Sequence, residues 1–200
     1  MRRRIGEVAR DVEGLDIRLV YDDELARGRV QRVEVTARAA AVGELRKRDA
    51  ATLRVQNLRF VAEQVLVNPY ALDAGRVDVL DVGRFRLERM EVAPADLQAF
   101  LSSLKGFRGT RVRLGPGWID LVVEQPGPDL SARVRIVPAA GQPFAIAVDR
   151  ARVGWLPLPR LLVDWVARNY DPTPQIAARL AFPVEVARVG VSEQAIRVGE

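Results

Sequence analysis

The chain has 200 residues and a mass of 22.2 kDa, of which 48% are hydrophobic and 28% are charged. This length can bury one sizeable core, so we predict a single domain over residues 1–200 with residues 1–13 as a flexible N-terminal extension. The sequence contains no cysteine and no histidine, which excludes disulfides, thiolate or imidazole metal sites and the usual nucleophilic triads. The classes of function that remain are catalysis by carboxylates and binding without catalysis.

The charge balance is basic, with a formal net charge of +5 and an isoelectric point near 10.3. Lys47 and Lys105 are the two lysines, so every other basic residue is arginine. This bias has three explanations: binding of nucleic acid, binding of an anionic membrane, or a genome-wide preference for arginine over lysine. The arginines are scattered and mostly matched by aspartate and glutamate, which favours the compositional explanation.

Residues 1–4 form the densest basic cluster, and charged side chains interrupt the apolar residues that follow it. A secretory signal would continue with an unbroken apolar run, and a membrane-spanning helix would need about 18 consecutive apolar residues. As written, the sequence therefore predicts a cytoplasmic or membrane-peripheral protein, exported only if its natural N-terminus differs.

Alternation of apolar and polar residues is the dominant pattern of the chain. In segment 31–41, Val33, Val35, Ala37, Ala39 and Ala41 share one face, while arginine, glutamate and threonine share the other. This period of two predicts a half-buried strand. Similar patterns predict strands over 52–62, 82–92, 111–114, 118–124, 130–137, 144–153 and 184–191. In 118–124 and 130–137, the apolar face consists of Ile119, Leu121, Val123, Ala132, Val134 and Ile136.

Turn residues separate the later strands. Segments 115–117, 125–128 and 140–143 contain glycine and proline, which supply a positive or fixed φ where the chain reverses. The short spacing between these turns predicts an antiparallel meander with one solvated face on each strand.

Three segments change to helical spacing. Segment 94–104 begins with proline and places apolar residues at i, i+3, i+4 and i+7, and segment 158–169 carries a stronger apolar stripe. Segment 173–180 is shorter, with Thr173 as N-cap and Pro174 as the first helical residue. Together with the strands, these segments predict an α+β fold that is rich in antiparallel sheet.

Neither acidic residues nor serines form a recognisable catalytic set. The acidic cluster 22–24 lies in a predicted turn, which is typical of a solvated loop, and the sequence has no regularly spaced carboxylates that would hold a metal ion. No serine lies in a nucleophile elbow, and no histidine exists to activate one. We therefore predict a protein that is not an enzyme and that holds no metal or cofactor.

Arginines at two-residue spacing form a candidate anion-binding strip. Arg111 and Arg113 share a face of one predicted strand, and Arg133 and Arg135 share a face of another. They could hold phosphate of a lipid headgroup or of RNA, or they could pair with glutamate and aspartate across a wet face. Aromatic residues make up only 6% of the chain, and alternation turns the nearest candidate, Phe85 between Arg84 and Arg86, inward, so we expect no nucleic-acid partner.

The order of motifs in the second half of the chain resembles the LmeA-like phospholipid-binding family of bacterial proteins, over residues 14–199. The resemblance is carried by a proline-bounded helical segment, a Tyr-Asp-Pro turn and a Leu-x-Phe-Pro-Val stretch, preceded by strand segments that lead into a helix. These motifs occupy residues 156–169, 170–172, 180–184, 75–77, 85–87 and 96–101.

The resemblance implies a long curved antiparallel sheet wrapped around two or three amphipathic helices, similar to the tubular lipid-binding superfamily. Its implied partner is a phospholipid or another acyl-chain lipid, bound without catalysis in an elongated apolar groove, with a peripheral contact to an anionic membrane. Small side chains on one strand face would leave room for an acyl chain. The residues expected to line the groove are Val33, Val35, Leu97, Phe100, Leu101, Leu161, Leu162 and Trp165, and those expected to meet the headgroup are Arg111, Arg113, Arg133 and Arg135.

A structural or protein-interaction module with a filled core is the alternative. The Asn-Pro-Tyr turn at residues 68–70 also resembles that of the late-embryogenesis-abundant type-2 sandwich. An interior filled by Phe60, Phe144 and Phe182 would leave no space for a ligand. A nucleic-acid binder is the less favoured third hypothesis, and its affinity would fall steeply with salt.

Overall fold

The computed structural model describes residues 9–43, 52–73, 78–104, 107–124, 126–139, 142–161, 163, 184–186 and 188–199. The helices whose bounds are described are a 3-10 helix at Asp23–Arg27, α1 at Pro69–Asp73 and α2 at Pro94–Ser103, and residues 160, 161 and 163 are also helical. Within these residues, no helix has both the length and the apolar character needed to cross a membrane. The strands are β1 Ala9–Glu13, β2 Asp16–Val20, β3 Arg29–Gly43, β4 Thr52–Val67, β5 Val79–Val92, β6 Thr110–Gly115, β7 Trp118–Val123, β8 Leu130–Ala139, β9 Gln142–Val153, β10 Leu156–Pro157, β11 Val184–Val186, β12 Val189–Val191 and β13 Ile196–Val198.

The strands form two sheets. The first sheet has the order β1-β3-β4-β5-β13-β12, with β2 also paired to β3 and β11 also paired to β5. All its pairs are antiparallel except β11 with β5. The second sheet is an antiparallel meander in the order β10-β9-β8-β7-β6. The predicted β-rich character, dominated by antiparallel strands, is therefore confirmed.

One face of the first sheet is apolar along the whole length of its two longest strands. We call this the inner face and the opposite side the outer face. Directly opposed residues of antiparallel strands point to the same side of a sheet, so cross-strand pairs define a face. The inner-face pairs of β3 and β4 are Val30 with Val65, Val33 with Ala62, Val35 with Phe60, Ala37 with Leu58, Ala40 with Val55, and Val42 with Leu53.

The alternation along these strands shifts phase twice. In β4, Val55 and Leu58 belong to the same core although they are three residues apart, and the intervening Asn57 has a positive φ of 51°. Gln64 repeats this with a φ of 54° between Ala62 and Val65. A left-handed residue within a strand turns the following side chains to the other side, and such irregularities increase local twist.

The phase shifts line up across neighbouring strands. Asn57 faces Arg38 at a position where the β3–β4 ladder has no pair. Gly14 packs closely against Arg38, since a Cβ added to this glycine would lie only 3.1 Å from the Cβ of Arg38. Gln64 faces a similar gap, and a Cβ on Gly83 of β5 would lie 2.7 Å from its Oε1. At two levels of the sheet, neighbouring strands therefore have irregular positions side by side. As a result, the apolar residues of adjacent strands stay on the same face.

The apolar residues gather in two clusters. The first joins both sheets, because Val55 and Val92 of the first sheet pack with Ile119 and Val134 of the second. In the second sheet it confirms the predicted inward residues Ile119, Leu121, Ala132, Val134 and Ile136. The second cluster lies at the other end of the inner face, around Val30, Ala62, Val65 and Val67, with Val33 and Phe85 against it.

On the outer face, ion pairs cover an apolar residue. Val61 is 0% exposed, although its neighbours across the ladder are Glu34 and Arg86. Arg59 Nη2 lies 2.9 Å from a Glu34 oxygen, and Arg86 Nη2 lies 2.7 Å from Glu63 Oε1. The arginine side chains lie over the sheet and their Nε atoms are buried, while their terminal nitrogens pair with partly covered glutamates, which explains the burial of this valine.

The structure refines several predictions. β1 begins within the segment expected to be an extension, and β2, α1 and β13 were not predicted. Ala39 is buried at 5% exposure, but Ala40 and Val42 join the first cluster in place of Ala41, because the phase of β3 shifts after Ala37. The helix predicted at 94–104 is confirmed as α2. Most of the helix predicted at 158–169 and all of that at 173–180 lie outside the described residues.

The phase shift at Asn57 can be tested by substitution. We expect Asn57→Val to lower the free energy of unfolding by about 2 kcal/mol more than Asn57→Gly, because a β-branched residue is strained at positive φ. Both variants lose the hydrogen bond from Asn57 Nδ2 to Glu91 Oε2, so that loss cancels in the comparison. Urea unfolding measures the difference. Gln56→Val, at the preceding exposed position, is the control and should be tolerated. Equal stability of the two Asn57 variants would contradict the left-handed conformation.

Candidate functional site

The middle of the inner face carries apolar side chains that remain accessible. Ile17 and Leu19 of β2 are 54% and 49% exposed, and they lie opposite Val35 and Val33 on the inner face. No strand among the described residues pairs with the other edge of β2. A row of apolar residues thus runs from the buried centre of the sheet to an open edge.

Aromatic residues continue this row on the other side of β3. Phe60 pairs with Val35, and Phe85 lies 5.1 Å from Phe60 between ring centroids. Leu87 pairs with Phe60 and is half-buried. Together, these side chains form the face that we call the apolar centre. Its members are Ile17, Leu19, Val33, Val35, Phe60, Phe85 and Leu87.

The residues expected to line a groove are not all brought together. Val33 and Val35 belong to the apolar centre, whereas Leu97 packs against the first cluster between the two sheets. Phe100 and Leu101 are half-buried on α2. Leu161 is 82% exposed and does not pack against either cluster. Leu162 and Trp165 lie outside the residues whose side chains the structure describes.

Sequence reasoning missed the contribution of β2. Ile17 and Leu19 alternate with Asp16 and Arg18, which is the period of a half-buried strand. This alternation extends over only five residues, so it is recognised only when segments as short as five residues are considered. Phe85 was correctly expected to point inward, but its neighbour Phe60 could be identified only from strand pairing.

The four predicted headgroup arginines share the outward side of the second sheet, which we call the arginine face. Arg111 Nη2 lies 3.2 Å from Glu124 Oε1, Arg133 Nε lies 2.6 Å from Asp120 Oδ1, and Arg135 Nη2 lies 2.7 Å from Asp149 Oδ1. Three of the four arginines are therefore held by carboxylates. Arg113 lies across the ladder from Asp120.

Arg133 is held from two directions. Its guanidinium lies 3.8 Å from the ring centroid of Trp118, and its Nε and Nη2 donate to the two oxygens of Asp120 at 2.6 and 2.7 Å. On the preceding strand, a Cβ on Gly115 would lie 2.1 Å from the indole ring. Glycine at that position therefore lets the ring lie against the backbone, and Arg133 stacks upon it.

The turn between β6 and β7 makes this stack possible. Pro116 and Gly117 connect Gly115 to its partner Trp118, and Gly117 has a φ of 77°. Proline followed by glycine with positive φ is the requirement of a type II turn, so the turn predicted at 115–117 is confirmed. The Gly117 amide also donates to the Val191 carbonyl at 2.8 Å, which joins the turn to β12.

The ion pairs alter the acidity of their carboxylates. The Arg133 guanidinium hydrogen-bonds Asp120 and holds its pKa below the usual value, more than burial raises it. Arg135 lowers the pKa of Asp149 in the same way. Each carboxylate therefore stabilises the fold most at neutral pH, and this contribution is lost as pH falls through the lowered pKa.

Two further arginines on the arginine face were not predicted. Arg150 lies across the ladder from Arg133, and Arg152 lies across from Ser131. With Asp120, they line a shallow depression of about 150 Å³. Arg113, Arg150 and Arg152 make no ion pair within the described part of the chain. This side of the second sheet therefore carries a surplus of positive charge.

A larger depression of about 500 Å³ lies on the outer face of the first sheet. Arg59 and Arg86 line it together with Glu88 and Glu185. Both arginines are already held by glutamates, and Arg59 Nε lies 3.2 Å from Glu88 Oε2. Because cations and carboxylates are interleaved here, this depression offers no clear preference for an anion.

Comparisons with protein-family models, with curated proteins and with solved structures gave no match. The functional assignment of the apolar centre and the arginine face therefore depends on their geometry and chemistry.

The pKa of Asp120 can be tested through stability. We expect Asp120→Asn to unfold at lower urea than the natural protein at pH 7, and the difference to shrink as pH falls towards 2, where Asp120 itself becomes neutral. Urea titrations at pH 7, 4 and 2 measure this. Asp129→Asn is the control, because Asp129 lies in an exposed loop without an ion pair among the described residues. A pH-independent difference between Asp120→Asn and the natural protein would refute the proposed coupling.

Proposed function

We propose that this protein binds an acyl-chain lipid, such as a phospholipid, against the apolar centre of the first sheet and catalyses no reaction. The observation that carries the proposal is the continuous apolar inner face, whose middle includes two aliphatic side chains that are about half exposed, Ile17 at 54% and Leu19 at 49%. Exposed apolar surface that is continuous with a core is typical of a binding site.

The dimensions of the inner face suit an extended hydrocarbon. The inner-face residues of β3 extend from Val30 to Val42, which is about 40 Å of strand at the usual rise per residue. Both ends are filled by buried clusters, so the accessible part is the shorter stretch between them. Transfer of an acyl chain from water contributes about 0.8 kcal/mol for each methylene, so affinity requires no reactive side chain.

The amino-acid composition agrees with binding that is driven by transfer of an acyl chain from water to an apolar surface. A chain without cysteine and histidine lacks the common nucleophiles and metal ligands, whereas an apolar sheet face needs only aliphatic and aromatic residues. The resemblance of the chain to the LmeA-like phospholipid-binding family supports the same ligand class. The motifs at 170–172 and 180–183 that contribute to this resemblance lie outside the described residues.

A protein-interaction module with a filled core is the second candidate. The two clusters favour it, because Val55 is 0% exposed and Val30 is 3% exposed, so both ends of the inner face are filled by the protein's own side chains. In that case, the open edge at β2 would contact another protein. The two candidates differ in whether the apolar centre takes up a soluble fatty acid.

Charge on the inner face should abolish lipid uptake. We expect Ile17→Asp and Leu19→Asp to weaken binding of cis-parinaric acid by more than about tenfold, because a carboxylate there must be desolvated by the acyl chain. Fluorescence titration measures this affinity, and native mass spectrometry after purification measures retained lipid.

Val20→Asp provides the matched control. Val20 lies on the same strand with a similar exposure of 50%, but it pairs with Arg32 on the outer face. The same substitution should therefore leave fatty-acid binding unchanged. If all three variants bind as the natural protein does, or if the natural protein binds no fatty acid, the groove assignment fails and the filled-core module is favoured.

A further inference from the structure

An apolar tip protrudes at the end of the second sheet. The hairpin between β9 and β10 turns through Gly154 and Trp155, and Gly154 has a φ of 58°. Trp155 is 88% exposed and Leu156 is 54% exposed, while Leu161 just after the hairpin is 82% exposed. Large apolar side chains with this much exposure, close together in the chain, are unusual unless they contact a partner.

Two arginines that form no ion pair with any described residue lie next to this tip. Arg152 pairs directly with Pro157 of the hairpin, and Arg150 lies two residues further along the same strand. Both line the 150 Å³ depression on the arginine face and make no ion pair among the described residues. Arg150 also lies opposite another arginine, Arg133, whose guanidinium is already held by Asp120, so Arg152 is the cation of this pair of neighbours that lies furthest from a described carboxylate partner.

We propose that the β9–β10 tip and the adjacent arginines dock the protein on an anionic lipid bilayer. Trp155, Leu156 and Leu161 enter the interfacial region, where an indole ring is favourable, while Arg150 and Arg152 bind headgroup phosphates. The proposal rests on the proposed function for its lipid partner, but its geometry lies on the other sheet and requires no groove.

The stacking of Trp118 argues for a bilayer rather than for RNA. A sheet that reads single-stranded nucleic acid presents open aromatic faces on which bases stack. Trp118 is the aromatic residue within the arginine face, and its ring lies against Gly115 and beneath the guanidinium of Arg133. The exposed Trp155 lies at the hairpin tip with aliphatic neighbours, which suits insertion between headgroups.

Vesicle flotation of the full chain tests the proposal. The probes are vesicles of phosphatidylcholine with 30% phosphatidylglycerol and vesicles of phosphatidylcholine alone. We expect binding to the anionic vesicles, a loss of about tenfold in Trp155→Ala, and a loss of about twentyfold in the double variant Arg150→Gln, Arg152→Gln. Binding should also weaken from 0.05 to 0.5 M NaCl, because the arginine contribution is screened.

Tyr70→Ala is the matched control, since Tyr70 is an aromatic residue that is 84% exposed on α1, between β4 and β5 of the first sheet, whereas the hairpin belongs to the second sheet. It should bind vesicles as the natural protein does, and circular dichroism should show that all variants are folded. Absence of binding to anionic vesicles, or undiminished binding by both tip variants, would overturn the proposal. Tighter binding to a single-stranded oligoribonucleotide than to vesicles would also overturn it.

The fatty-acid titration separates this proposal from the proposed function. If the docking proposal alone is wrong, the natural protein does not bind vesicles but still binds cis-parinaric acid. In that case, Ile17→Asp still abolishes the binding of cis-parinaric acid. If the groove proposal alone is wrong, the reverse result is obtained, because Trp155→Ala still reduces vesicle binding.

Discussion

The structure depends on the pairing of apolar residues between β3 and β4 along one face of the first sheet. Every inner-face pair, from Val30 with Val65 to Val42 with Leu53, joins two apolar side chains. In the sequence of each strand, the apolar residues change twice between odd and even positions. With strict alternation, the row of apolar pairs would therefore end at the first change. Left-handed residues at Asn57 and Gln64 restore the phase where it would otherwise place polar side chains in the core. The two sheets can therefore share a core at one end, while the apolar face continues beyond it.

Arginine has two different roles on the two sides of the protein. On the outer face of the first sheet, arginine stems cover Val61, and their guanidinium groups are shared among glutamates. On the second sheet, Asp120 and Asp149 hold Arg133 and Arg135, but Arg150 and Arg152 form no ion pair within 4 Å in the described part of the chain. The compositional preference for arginine explains the first arrangement. It does not explain two arginines that lie beside an exposed tryptophan and form no ion pair among the described residues.

The proposed lipid-binding face and the proposed docking tip use the same physical principle in different ways. At the apolar centre, an acyl chain would extend a core that already exists, so its affinity would depend on methylene transfer and respond little to salt. At the β9–β10 tip, a few apolar side chains would enter a bilayer with help from surface charge, so binding would depend on ionic strength. The second sheet supplies the rigid support for the tip, because its meander packs against the first sheet through Ile119 and Val134.

Local patterns in the sequence determined much of the second sheet. Alternation correctly placed Ile119, Leu121, Val134 and Ile136 inward, and the Pro116-Gly117 turn required only its own residues. In the same way, helical spacing after a proline was sufficient to predict α2. These features depend on neighbours within a few positions, where backbone geometry and burial act together.

Only the tertiary structure decided the phase of β3, the pairing of the arginines and the exposure of the apolar residues. Ala41 follows the same alternation as Val35, yet Ala40 packs in the first cluster instead, because the opposing strand changes phase at Asn57. Likewise, Arg133 and Arg152 are similar in sequence context, but only Arg133 lies opposite an aspartate. Whether Leu19 or Trp155 is covered depends on which distant strands lie beside it. The sequence by itself thus determined which segments form strands and turns, whereas contacts between distant segments decided which side chains meet.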